Sequence, residues 1–355
     1  MSVKPTVGEV WWNRIAGVSQ FLRDVSAALC DEQNVYIYAP GKLPWEDEFG
    51  AALRDELSEN IGAVDINYIT DAAQDPAEAL LDYAGIRSEY RRTVGISSFL
   101  QQKRAFSNQI ISVSPASDKS ARRWFELART HRAAFDSMGP LFIRSSAPAP
   151  AIAQPKHMRV IRYSDYASEY DTLVFAELIL PRHTLSDVSK RYVAALAVAL
   201  FGTDAETVAM FAETFDITKD DPQTFAAERL GDAADITSRI WNAQIQILFP
   251  LIMRGWRVFM SVWQDRLSEA FEVASRLLPH GVEYCGETVT SADEMELGTI
   301  LYLMRSRPSD DAGHFLYIPD DAARAQINLL HETRNTLAHG KVCRAVKVRE
   351  LLGIN

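Results

Sequence analysis

The chain has 355 residues, 47% of them hydrophobic and 24% charged, which excludes a disordered chain and suits two folded domains. Its formal net charge of −10 excludes a surface that coats itself with nucleic acid, so any phosphate contact must be local or come through a partner protein. Cys30, Cys285 and Cys343 lie too far apart for a zinc site or a disulfide framework and fit the reduced thiols of a cytoplasm.

The first half reads as strands alternating with helices. Val35 to Tyr38 is a short strand closed by Pro40-Gly41, and Glu46 to Ser58 is helical. Ala63 to Ile69 alternates as a strand, and Pro76 to Ala84 starts a helix with proline at an early position, where its missing N–H costs nothing. Gln109 to Val113 is a strand, Asp118 to Phe135 a helix, and Leu141 to Ile143 a further apolar burst. The proline-rich stretch 145–155 is an exposed loop. Met158 to Tyr163 and Asp165 to Leu180 then complete the rhythm. Strands of this length separated by helices predict a mostly parallel sheet flanked by helices over residues 1–180.

From Pro181 onward the strand signals fade. Helices are predicted from Asp187 to Phe201, after Thr203 or Asp204, and after Asp221-Pro222. A long helical run opens at Asp235 and reaches Leu278, with Pro250 expected to kink it. Ser291 or Asp293 caps a helix carrying Met295, Leu297, Ile300, Leu301 and Leu303, a loop follows over 308–313, and a last helix runs from Asp320 to His339, stopped by Gly340. Residues 181–355 therefore read as an all-helical bundle. The most apolar long stretch, 245–263, contains Pro250, Arg254 and Arg257, and no apolar leader opens the sequence; neither a membrane span nor a signal peptide is expected.

The last helix carries the densest chemistry. On a wheel of 3.6 residues per turn, Ile327, Leu330 and Leu337 share one face, which should pack on the long helix. His331, Asn335 and His339 fall at i, i+4 and i+8 and form a polar stripe beside it, with Arg334 on the border. A guanidinium matches the geometry of a phosphate, an imidazole exchanges protons near neutral pH, and a carboxamide can orient a ring or a ribose hydroxyl. The set can bind a scissile phosphate and assist attack by a neighbouring 2′-hydroxyl. The bland alternative has His339 capping its own helix carbonyls and Arg334 paired with a carboxylate such as Glu332 or Glu296. Lys341, Arg344, Lys347 and Arg349 follow within nine residues, either a local RNA-binding patch or a solvated basic tail.

Arg334-Asn335-Thr336-Leu337-Ala338-His339 resembles the Arg-x4–6-His motif of HEPN proteins, on the last long helix of a helical domain as in that family. The resemblance covers residues 181–355. It implies a domain that dimerises, sets two motifs across a groove and cleaves RNA without a metal or other cofactor, leaving a cyclic phosphate. Arg334 would hold the phosphate, His339 would act in proton transfer or orientation, and Asn335 would support both. Beside the motif, Lys341, Arg344 and His331 are candidate RNA contacts by their charge and position, and the resemblance implies a place in antiphage defence or a toxin-like system. A scaffold that dimerises without catalysis is the other reading.

No strand in the first half is followed by a Walker loop. The Gly41-Lys42 pair runs on to Leu43, with no hydroxyl residue after the lysine, and no G-x-G-x-x-G occurs. The stretch Trp11 to Ser19 resembles the entry to a degenerate P-loop-like domain, which would make residues 1–180 a sensor or a docking surface for a regulatory protein. Ser114 to Asp118 follows a strand, where ligands bind in α/β sheets, although simple helix capping explains it as well.

Overall fold

The structure, a computed structural model, describes residues 4–62, 64–70, 75–91, 93–150, 156–181, 185–231, 235–284, 287–308 and 313–354. Cys285, residues 151–155 of the proline-rich stretch and residues 309–312 of the later loop lie outside these residues. Two compact units are present: residues 1–179 with 202–210, and residues 180–201 with 211–355. Residues 202–210 thus pack with the first unit rather than with the 181–355 segment.

The first unit contains α1 (Val7–Arg14), α2 (Ala16–Cys30), β1 (Asn34–Tyr38), α3 (Glu46–Ile61), β2 (Asp65–Thr70), α4 (Pro76–Tyr83), α5 (Ile96–Gln102), β3 (Gln109–Ser114), α6 (Asp118–Thr130), β4 (Leu141–Ser145), β5 (Met158–Arg162) and α7 (Glu169–Ile179). The five strands are all parallel in the order β2-β3-β4-β1-β5. Because side chains alternate across a pleat, Val35 and Ile37 enter one core with Phe21, Phe49 and Phe175 from α2, α3 and α7. Tyr36 enters the opposite core with Leu80, Leu100, Trp124 and Phe125 from α4, α5 and α6. Burial on both faces is why these strands read as apolar runs.

Asn34 opens β1 and is fully buried. Its Nδ2 donates to the carbonyls of Ala128 (2.9 Å) and His131 (2.8 Å), and its Oδ1 accepts the Leu141 N–H at 2.8 Å. One carboxamide thereby ties the end of α6 and the start of β4 to the central strand. With the His131 carbonyl held there and His131 itself extended, α6 stops at Thr130 and does not reach Phe135. The helix expected from Asp165 begins instead at Glu169, where Ser168 and Asp171 form a reciprocal cap.

The second unit is built from α8 (Asp187–Phe201), the later part of α9 (Ala205–Thr214), α10 (Pro222–Leu230), α11 (Ile236–Val262), α12 (Gln264–Leu277), a small antiparallel pair β6 (Glu283–Tyr284) and β7 (Glu287–Thr288), α13 (Leu297–Arg305), α14 (Asp321–Ala338) and α15 (Ala345–Leu352). The bundle is therefore not purely helical. Pro250 lies inside α11, and the long run breaks at Trp263. Residues 345–352, within the basic run open to reading as an RNA-binding patch or a solvated tail, are a helix with Val348 buried.

α11 is the spine, lying against α8 and α14. Ile327, Leu330 and Leu337 of α14 are buried, as their spacing predicts. Gly255 lets the helices approach: a Cβ there would stand 3.1 Å from both Leu330 δ-methyls. Among the described residues α11 alone has the length and composition to cross a bilayer, with a mean hydropathy of 1.3 over its most apolar stretch, 17% of which is buried. This departs from the expectation that Pro250, Arg254 and Arg257 leave no such stretch. Val258 and Val262 on this helix are 55% and 67% exposed.

Candidate functional site

The site is the outer face of α14 and the end of α13 beside it. Asp320 starts α14 by accepting the Ala322 and Ala323 N–H groups. Gly340, at φ +69°, ends it: Gly340 N–H bonds the Leu337 carbonyl and Lys341 N–H the Thr336 carbonyl, both at 3.0 Å, the pairing of a Schellman turn. The Trp241 indole of α11 also reaches the Leu337 carbonyl, at 2.8 Å. His339 is thereby held at the helix end with its ring exposed and in no hydrogen bond or ion pair among the described residues. The ring does not cap the helix.

Below this turn lies a second buried carboxamide. Gln244 of α11 accepts the Cys343 N–H at 2.7 Å and donates to the Cys343 carbonyl (3.1 Å) and to Tyr192 Oη (3.2 Å). The chain leaving α14 is pinned to the bundle by both polar atoms of one backbone residue. Burial pushes the Cys343 thiol up to about 11, so it stays protonated at neutral pH. The sequence offered no signal for Gln244, which looks like one more polar residue in an apolar helix.

Along the exposed face, Arg334, Asn335 and His331 form a relay. Arg334 Nη1 donates to Asn335 Oδ1 at 3.1 Å, and Asn335 Nδ2 lies 3.0 Å from His331 Nε2. With Oδ1 taken by the guanidinium, the amide NH2 faces the ring, so His331 Nε2 must accept and the ring is neutral. Burial, and then the Arg305 and Arg334 charges, hold the His331 pKa below its usual range, in the same direction. Asn335 thus orients His331 and Arg334; its side chain makes no bond to His339.

Arg334 Nη2 also donates to Glu296 Oε2 at 2.9 Å, with the Arg334 side chain 31% exposed. Of the two carboxylates that α14's sequence position suggested as partners, Glu296, just before α13, is the one that reaches. Arg305 closes the other end of the relay, its Nη2 donating to Asn328 Oδ1 at 2.9 Å. Arg305 and Asn328 were not singled out in the sequence; the signal was their position, three residues before His331 on α14 and at the last residue of α13.

The four cations past the motif divide into two pairs. Lys347 is engaged by Glu332 and Glu350, and Arg349 donates to the carbonyls of Thr218 and Ala345. Lys341 and Arg344 are exposed and unpaired among the described residues.

No protein-family model matches this chain, and no curated protein matches it.

The first unit has a chain of this kind on α2, where Arg23 donates to Gln20 Oε1 and Gln20 Nε2 donates to Asp24 Oδ1, without a histidine in it. Gly41-Lys42 does fall between β1 and α3, the strand–loop–helix position of a P-loop. Yet α3 opens with Glu46, Asp47 and Glu48, and the N–H of Trp45, its capping residue at φ 44°, is taken by Glu206 at 2.6 Å. Four carboxylates surround the helix end that would hold a phosphate. The Trp11 to Ser19 stretch lies beneath: the Trp12 indole donates to the Pro44 carbonyl and the Trp11 indole to Tyr163 Oη, each at 3.0 Å. Beside it a cavity of about 400 Å³ is lined by Gly41, Lys42, Tyr163, Ser164 and Asp204. Ser117 accepts the Ser120 N–H, so the Ser114 to Asp118 stretch caps α6.

Proposed function

We propose that the helical unit is a metal-independent endoribonuclease of HEPN type that works as a homodimer, with residues 1–180 as a sensor or docking domain. The observation that carries this reading is the relay itself. Arg334, Asn335 and His331 are fixed to one another on the solvent side of α14, and His339 is free one turn beyond. A guanidinium, an amide and a neutral imidazole held together beside a free imidazole supply the groups that transfer at phosphorus needs. Arg334 would hold the scissile phosphate. The 2′-hydroxyl then forms a bond to phosphorus as the bond to the 5′-oxygen breaks. His339 takes the hydroxyl proton, or gives one to the leaving oxygen when the second copy's ring does the other task. The half-covered apolar face of α11, with Val258 and Val262 exposed, supports pairing of two copies through the helical unit. Such an activity fits antiphage defence or a toxin-like system.

Incubation of total RNA with the full chain in EDTA tests this. Wild type is expected to cleave and to leave cyclic phosphate ends, while Arg334→Ala and His339→Ala are silent. Equal cleavage by all three would sink it.

A non-catalytic scaffold is the second reading. The Arg334–Glu296 ion pair favours it, because a guanidinium satisfied by its own chain has less need of a ligand. On that reading both variants still dimerise and no RNA is cut.

A further inference from the structure

Resting on the nuclease reading above, we propose that Arg305 and Tyr302 of α13 form a second RNA subsite, so that a single strand runs lengthwise along α14 from His339 to the end of α13.

The polar groups form a track, not a point. His339, Asn335, His331 and Asn328 follow one another up the same face of α14, and Arg305 is bonded to the last of them. Eleven residues of α-helix separate Asn328 from His339, about 16 Å at 1.5 Å per residue. That length exceeds one phosphate and accommodates a strand of a few nucleotides. Two guanidiniums are bonded to the track seven residues apart, Arg334 to Asn335 and Arg305 to Asn328, with His331 between them, and both charges disfavour a proton on that ring. Two arginines held apart by a neutral histidine suit two successive backbone phosphates, each met by a planar fork of donors.

Tyr302 supplies what a phosphate track lacks. It precedes Arg305 by three residues on α13, so the two side chains are neighbours on one helix face. Its ring is 43% exposed, while Leu301 and Leu303 on either side of it are buried. An exposed aromatic beside a phosphate-binding arginine is the arrangement on which an unpaired base stacks. A duplex keeps its bases stacked inside and could not use it, so the substrate class is single-stranded RNA. Glu296, on the Arg334 guanidinium, must leave when RNA arrives.

The test is fluorescence anisotropy of a short, labelled, uncleavable 2′-O-methyl RNA strand on the full chain across a salt series. Wild type should bind. Arg305→Gln should weaken binding about tenfold and lower the slope of log affinity against log salt by about 0.7, the loss of one single-strand phosphate contact. Tyr302→Ala should weaken it about tenfold with the slope unchanged, as loss of a stack does. Arg305→Lys and Tyr302→Phe should each recover most of the loss, which separates the subsite from damage to the fold. If wild type binds and the Arg305 and Tyr302 variants bind equally well with the same slope, the subsite is wrong and the nuclease reading stands. If wild type does not bind the strand at all, both fall.

Discussion

At the start of α3, Glu206 accepts the Trp45 N–H; on α14, Glu296 accepts from Arg334. Each unit thus sets one of its own carboxylates on a group that could otherwise take an anion, a helix N-terminus in one and a guanidinium in the other, yet the surroundings differ. Around Trp45 stand Glu46, Asp47 and Glu48, so removing Glu206 leaves a helix N-terminus still flooded with negative charge. On either side of a neutral His331 stand Arg334 and Arg305, with Glu332 nearby, so removing Glu296 leaves two guanidiniums against one remaining carboxylate. What a carboxylate blocks matters less than the charge that remains once it is gone.

The largest effect that could break this contrast is on catalysis. Arg334→Ala should lower RNA cleavage at least about a hundredfold, in line with removing a single preorganised donor from a transition state. A gel time course measures it. Next come the two buried carboxamides. Asn34→Ala and Gln244→Ala each strand several buried backbone groups, and each should lower stability by about 3 kcal/mol in urea unfolding. They part company at the site: Gln244→Ala should also weaken RNA binding, because it frees the chain beneath His339, whereas Asn34→Ala should leave the α14 site as it is.

Smaller effects sharpen the comparison directly. Glu296→Ala should tighten RNA binding by about threefold to tenfold, since a partly exposed ion pair is worth about 1 kcal/mol to break. Glu206→Ala should cost about 1 kcal/mol of stability and gain no affinity for a nucleoside triphosphate, as isothermal titration would show. The smallest concerns pH. His331 binds its proton less readily folded than unfolded, and so does buried His131 of the first unit. Below the unfolded value, about 6.5, the unfolded chain takes up more protons, so stability falls as pH drops through that window and is fully present above it. The urea midpoint should decline from pH 7.5 to 5.5, and less steeply in His331→Gln. A midpoint that rises over that range would contradict the neutral ring assigned here.

Much of this was legible in the residues. Alternation and apolar runs placed all five strands of the sheet, since parallel strands buried on both sides leave a strong signal. The 3.6-residue spacing of Ile327, Leu330 and Leu337, with Gly340 behind them, fixed the face and the end of α14 and hence its polar stripe. Glu296 was among the two carboxylates weighed as partners of Arg334. What stayed hidden depends on chain-distant encounters. Nothing local says that Asn34 will hold Leu141, or that Gln244 will hold Cys343. The stop of α6 at Thr130, the turn at Trp263 and the β6–β7 pair also escaped, because tertiary hydrogen bonds and short pairings override weak local preferences. The basic run after His339 masked the apolar anchor Val348, so no helix was expected there.

Gly255 and Leu330 carry one more consequence. With 3.1 Å between the absent Cβ and the leucine methyls, the two positions share a single volume. Gly255→Ala alone should wedge α14 outward and misplace Arg334 and His339, although neither touches residue 255. Leu330→Val in the same chain should return the helix to its seat. In related sequences these two positions should therefore change together and in opposite directions, a bulkier residue on the spine matched by a slimmer one on the site helix, and an alignment would show the register of the site as a correlation rather than as an invariant residue.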